Sequence, residues 1–205
     1  MRLTNCLVII MMIAGSLHAQ HGDDYSGVLL AQRKVMISQL LSNPRSPIDT
    51  TNIRNVRFYQ PNDSFLFETI FLPLTDTTVL NFATSSGEQK QYRPYAKVFF
   101  RFGGSMHQLT MYESMKYRNH PLFGDKLFLP FWDETNSVTS YGGGRYLDIR
   151  KSDLDSGNFQ LDFNRAYNPW CAYSDGFSCP VPPPENRLSF EVRAGEQDFH
   201  KAVDQ

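Results

Sequence analysis

The residues best suited to chemistry gather in the last third of the chain. Phe131-Trp-Asp-Glu-Thr135 leads through a polar turn to Tyr141-Gly-Gly-Gly-Arg-Tyr-Leu-Asp148. Leu161-Asp-Phe-Asn-Arg-Ala-Tyr-Asn-Pro169 follows, then Cys171 and Cys179-Pro-Val-Pro-Pro-Pro-Glu-Asn-Arg187. A rigid, proline-stiffened segment can hold polar groups at fixed positions, as binding requires. The candidate ligand-binding residues are Tyr141, Arg145, Asp148, Asp162, Asn164, Arg165, Tyr167 and Asn168, with Arg145 as the charged anchor. The same residue types have a structural use. Asparagine amides satisfy backbone groups where no ladder exists, and Asp148 and Asp162 can pair with Arg145 and Arg165.

Catalysis has thinner support. Asp133, Asp148, Asp162 and Glu185 could include an acid–base pair for a hydrolase acting on an envelope glycan, which needs two carboxyls roughly 5–9 Å apart across the sugar. The chain has no G-x-S-x-G and no H-E-x-x-H. His107, His120 and His200 read as surface or core residues, no metal site is expected, and no cofactor is implied. Gly142-Gly143-Gly144 precedes a strand-like run, so it reads as a hairpin turn and not as a phosphate loop, which must open a helix. Trp132 and Trp170 could stack on sugar rings, although a β-rich fold also uses tryptophan in its core or rim.

The elements that must position these groups are mostly strands. Residues 20–45 contain one helix, capped at Asp23 or Asp24 and running to about Leu41, with Leu29, Met36 and Leu40 beside Leu30, Ile37 and Leu41 as its apolar stripe. Strand patterns follow at Phe65–Phe71, Thr78–Thr84, Lys97–Phe102, Ser105–Tyr112, Lys126–Trp132, Arg145–Ile149, Asn158–Phe163 and Leu188–Arg193. Gly103-Gly104 links two of them as a hairpin. Pro94 marks an edge strand or a strand start. The expected fold is mainly β: an antiparallel β-sandwich or partly closed barrel with the N-terminal helix packed on it.

Residues 1–19 have the order of a secretory signal peptide: Arg2, an apolar run from Cys6 to Ala14, and Leu17-His18-Ala19 before cleavage. Export to the periplasm or beyond the cell, as a single domain over residues 20–205, is the expectation. Cleavage also removes Cys6, leaving Cys171 and Cys179 as one disulfide worth about 2.5 kcal/mol by chain entropy. Among 205 residues, 20 Lys+Arg stand against 21 Asp+Glu, which excludes the basic footprint of a nucleic-acid binder. No later stretch is apolar enough for membrane insertion.

Tyr141-Gly-x-Gly-Arg-Tyr-Leu-Asp148, Asp162-Phe-Asn-Arg-Ala-Tyr-Asn-Pro169, Cys171, Cys179-Pro-x-Pro-Pro-Pro-Glu-Asn-Arg187 and Arg193-Ala-Gly-Glu196 together resemble an uncharacterised bacterial family, domain of unknown function 1684. The resemblance is specific over residues 131–196. It departs near Ser137, where the family usually has glycine, and at Trp170, where it usually has proline. It implies a domain and no established activity. The resulting expectation is a non-enzymatic module for a small polar or envelope-derived ligand. The alternatives are the glycan hydrolase and a structural or interaction protein.

Overall fold

The computed structural model describes residues 5–155 and 159–200, except for the side chains of residues 5–23. The expected leader and Asn158 lie outside what it describes in full. Helix α1 (Asn5–Ser42) is followed by β1 (Leu66–Glu68), β2 (Ile70–Pro73), β3 (Leu80–Ala83), β4 (Gln89–Phe102), β5 (Ser105–Ser114), β6 (Lys126–Phe131), β7 (Arg145–Arg150), the single turn α2 (Lys151–Leu154) and β8 (Gln160–Asp162). Every strand pair is antiparallel.

The fold is mainly β, as the alternating patterns predict. A six-stranded sheet has the path β2-β4-β5-β6-β7, with β3 joining β2 on the edge of β4, and β1 pairs with β8 in a second, two-stranded sheet. The two sheets do not close into a barrel. They face each other across the main core, where Phe67 of β1 meets Phe100 of β4 at 4.8 Å and Phe163 meets Phe131 at 5.1 Å. Gly103 and Gly104 take φ of +56° and +80°, as a two-residue hairpin link demands.

Pro94 does not mark an edge. It lies inside β4 where the register to β5 shifts and where the β3 and β2 pairings leave a gap, so its missing N–H breaks no ladder. Asp24 lies within α1 and is not its cap, but the helix ends at Ser42, one residue beyond expectation. The buried stripe is narrower than predicted: Leu29 and Arg33 are buried, while Leu30 and Leu41 are exposed. The Arg33 guanidinium donates to Tyr59 O (2.8 Å) and lies 4.7 Å from the Phe58 ring centre. The helix therefore rests on irregular backbone, with Met36 and Leu40 against a small cluster of Ile48, Val56, Ala172, Tyr173 and Phe199, and not on a broad sheet face.

Leu188–Arg193 forms no strand. Its backbone bonds instead to side chains and single carbonyls: Val192 N–H to Asp133 Oδ1 (3.0 Å) and Leu188 N–H to Trp132 O (2.8 Å). Asn186 enters the sheet where β5 and β6, paired only at Tyr112–Phe128 and Glu113–Leu127, splay apart. Its side chain accepts from Thr110 N–H (2.8 Å) and donates to Thr110 O (2.8 Å) and Pro130 O (2.7 Å), replacing the ladder that is missing there.

Candidate functional site: an aromatic cleft under the disulfide loop

Strand alternation gives the large sheet two different faces. Leu127, Leu129 and Phe131 of β6 and Leu147 and Ile149 of β7 point into the main core, so Phe128 and Tyr146 point to the other side. There they continue a row of rings. Tyr92 and Phe128 are 5.2 Å apart, Phe128 and Tyr146 4.7 Å, and Tyr146 and Tyr167 5.8 Å. Tyr167 is set at the end of this row by two backbone hydrogen bonds with Tyr146, each 3.0 Å.

The segment after Tyr167 turns back over this face. Cys171 and Cys179 are bonded with Cα atoms 6.3 Å apart, as their count predicts. The loop they close docks on the end of β3, through Ser85 N–H to Cys179 O (2.9 Å) and Val181 N–H to Ala83 O (2.9 Å). It covers the aromatic row incompletely and leaves a cleft of about 1090 Å³. The floor is Tyr92, Phe128 and Tyr146; Tyr167, Trp170, Phe177 and Tyr117 form the walls; Asn81, Gln89, Lys90, Gln91 and Lys116 supply the polar rim. Among the described residues, no Asp, Glu or His lines it. Burial raises the Tyr146 and Tyr167 hydroxyls, so both stay neutral donors: Tyr146 to Pro180 O, Tyr167 to Asp148 Oδ1 (2.9 Å).

On the other side of the Tyr167–Trp170 wall, a second groove of about 1220 Å³ runs between α1 and strands β7 and β8. It brings together Asp148, Asp162, Arg165, Tyr167 and Asn168 of the sequence-predicted set. Its carboxylates are already matched, Asp148 by Lys126 (3.0 Å) and Asp162 by Arg165 (3.1 Å) and the Tyr25 hydroxyl (2.8 Å). Of the four acids considered for hydrolysis, only these two share a surface: Asp133 is in the core and Glu185 accepts from Tyr112 Oη (2.8 Å).

Arg145 has no exposed surface, which corrects its expected role as ligand anchor. One Nη donates to Asp133 (2.8 Å) and Val192 O (2.7 Å), the other to Glu196 O (3.1 Å) and Ala194 O. The arginine fork thus fastens alternate carbonyls of the C-terminal segment, and Asp148 pairs with Lys126 in its place. Asn164 is likewise a core residue, its amide bonding both backbone groups of Asn62 (2.9 and 2.8 Å). Tyr141 packs with the small cluster under α1, close over Gly143, where a Cβ would come within 2.3 Å of its ring. A strand follows the glycine run, as a turn requires and a phosphate loop does not. Asn168 is buried behind the wall, donating to Gln197 O (2.8 Å). Among the described residues no group of three His, Cys, Asp or Glu could hold a metal.

Beneath that wall lies Glu196, fully buried, accepting from Asn168 N–H (2.9 Å) and Tyr173 Oη (2.6 Å). Burial pushes its pKa from 4.5 up to about 7, against the hydrogen bonds and Arg145, which lower it. The folded state therefore binds a proton that the unfolded state has released between these values. Stability should fall as pH rises from about 4.5 to 7 and then level off, by on the order of 3 kcal/mol. Glu196→Gln can keep both partners, with Oε1 taking Asn168 N–H and Nε2 donating to Tyr173. Urea unfolding of both proteins at pH 5 and pH 8 should show the variant gaining on wild type at the higher pH; an equal difference at both would contradict this.

The pairing, the helix and the stapled irregular corner define a class: an open antiparallel β-sandwich whose second sheet face is roofed by a disulfide loop. The chain belongs to the family described as "Protein of unknown function (DUF1684)", which matches residues 51–197. Ser137 has a φ of 64°, the one positive value at a non-glycine among the described residues. A similar solved structure is the solution NMR structure of the uncharacterized protein from gene locus rrnAC0354 of Haloarcula marismortui. It is 27% identical with a TM-score of 0.65, over 89% of this chain and 99% of that one. No curated protein matches.

Sequence reasoning missed Lys90, Tyr92, Phe128 and Tyr146 as cleft residues, whereas the polar connection Lys116-Tyr-Arg-Asn-His-Pro121, which by sequence could border a pocket or be an ordinary loop, does supply Lys116 and Tyr117 to the lining. The available signal is the outward register: Phe128 and Tyr146 alternate with core residues on strands whose pattern is legible in the sequence.

Proposed function

We propose that the chain is an exported, non-catalytic binding module that holds a small polar ligand, such as a cell-envelope fragment, in the aromatic cleft. The row of rings with an amide and lysine rim carries this reading: apolar walls with a few convergent polar groups are what small-ligand sites require. Among the described residues the lining has no carboxylate or histidine, the commonest acid–base groups, which favours binding over hydrolysis. The leader pattern at residues 1–19 and the Cys171–Cys179 bond fit export to the periplasm or beyond, with residues 20–205 as the mature domain. Among the described residues, no helix is long and apolar enough to cross a membrane, and the near-neutral charge argues against a nucleic-acid partner.

A thermal-shift panel of sugars, amino acids, nucleotides and lipids tests this. A ligand at a hundred times its dissociation constant adds about 2.7 kcal/mol. At least one class should raise the midpoint in wild type but not in Tyr117→Ala, a change at an exposed wall residue. A flat panel, or a shift indifferent to Tyr117, would overturn the reading.

A further inference from the structure

Resting on the cleft as the binding site, we infer that its ligand is an anionic sugar whose carboxylate or phosphate sits between Lys90 and Lys116. The first argument is charge. The chain as a whole has a net charge of −1, yet this cleft carries two lysines and, among the described residues, no carboxylate in its lining. Neither lysine forms an ion pair among the described residues. Lys90 is half-buried and, among the described residues, donates to Ser178 O of the disulfide loop. Burial lowers its pKa; Glu88 raises it in part, and the charge of Lys116 lowers it further. Two ammonium groups that disfavour each other at the edge of an apolar cavity are relieved by one bound anion.

The second argument is the shape of the remaining chemistry. A sugar hydroxyl both donates and accepts, and so does each side-chain amide of Asn81, Gln89 and Gln91 on the same rim. The opposite wall is aromatic, suited to the C–H face of a pyranose. The second groove also has amides and rings, but carboxylates share its lining, and its Lys126 and Arg165 are already paired with Asp148 and Asp162.

The test compares matched pairs on the purified protein by calorimetry: galacturonate against galactose, and glucose 6-phosphate against glucose. The charged member of one pair should bind about tenfold more tightly than its neutral partner. That advantage should shrink in 0.5 M salt and disappear in Lys116→Gln, an exposed position where the fold is not at risk. The pair showing the advantage decides between carboxylate and phosphate. Equal binding of charged and neutral members would overturn the anion requirement and leave the cleft reading standing. If neither pair binds while another compound class binds in the cleft, the sugar assignment falls alone. If nothing binds there, both readings fall.

Discussion

Arg145→Ala should destabilise the protein by about 3–5 kcal/mol, the usual result of stranding one member of a buried ion pair. Asp133 would lose its cation with no solvent to take its place, since both side chains are fully buried. Its Oδ1 would still hold Val192 and Thr135 N–H, but the carbonyls of Val192, Ala194 and Glu196 would lose their shared donor. A domain of this size has about 5–15 kcal/mol in all, so the loss is a large share. Arg145→Lys separates charge from geometry. The ammonium can pair with Asp133, but its three donors on a flexible stem cannot reproduce the planar fork, and about half of the loss should remain. Urea midpoints without any ligand measure both. A loss below 1 kcal/mol in Arg145→Ala would contradict the role assigned to the fork.

Asn186→Asp should be at least as damaging as Asn186→Ala, although it is the closer match in shape. The alanine leaves Thr110 N–H, Thr110 O and Pro130 O without their partner inside the sheet, and each unsatisfied buried group costs about 1–3 kcal/mol. The aspartate keeps the acceptor for Thr110 N–H but turns an oxygen toward two carbonyl oxygens, so lost donation becomes repulsion. We expect about 3 kcal/mol or more for each variant, measured by urea unfolding at pH 7. Near-wild-type stability of Asn186→Asp would contradict the hydrogen bonding described for this amide.

These two residues also show where the sequence stops being legible. The hairpin at Gly103-Gly104 and the strands on either side follow from local patterns, because turn geometry and side-chain alternation are properties of neighbours in the chain. The disulfide follows from counting the cysteines outside the leader-like residues 1–19. Leu188–Arg193 looks like a strand by the same local rules, yet its hydrogen bonds go to Asp133 and Arg145, partners more than forty residues away. Arg145 and Asn164 stand out in the sequence as parts of a polar cluster on irregular backbone. Whether such a cluster faces solvent depends on what covers it, and here Val192, Ala194 and Glu196 do. Conversely, Tyr92, Phe128 and Tyr146 come from three separate strands, and only the sheet order sets them side by side.

The location of the ligand is the central claim, and backbone amide NMR during titration with the strongest compound of the thermal-shift panel tests it most directly. The largest shift changes should fall at residues 89–92, 114–117 and 177–179, which line the cleft. Changes concentrated instead at Tyr25, Met36–Leu40 and Gln160–Asp162 would place the ligand in the groove beside α1 and contradict it.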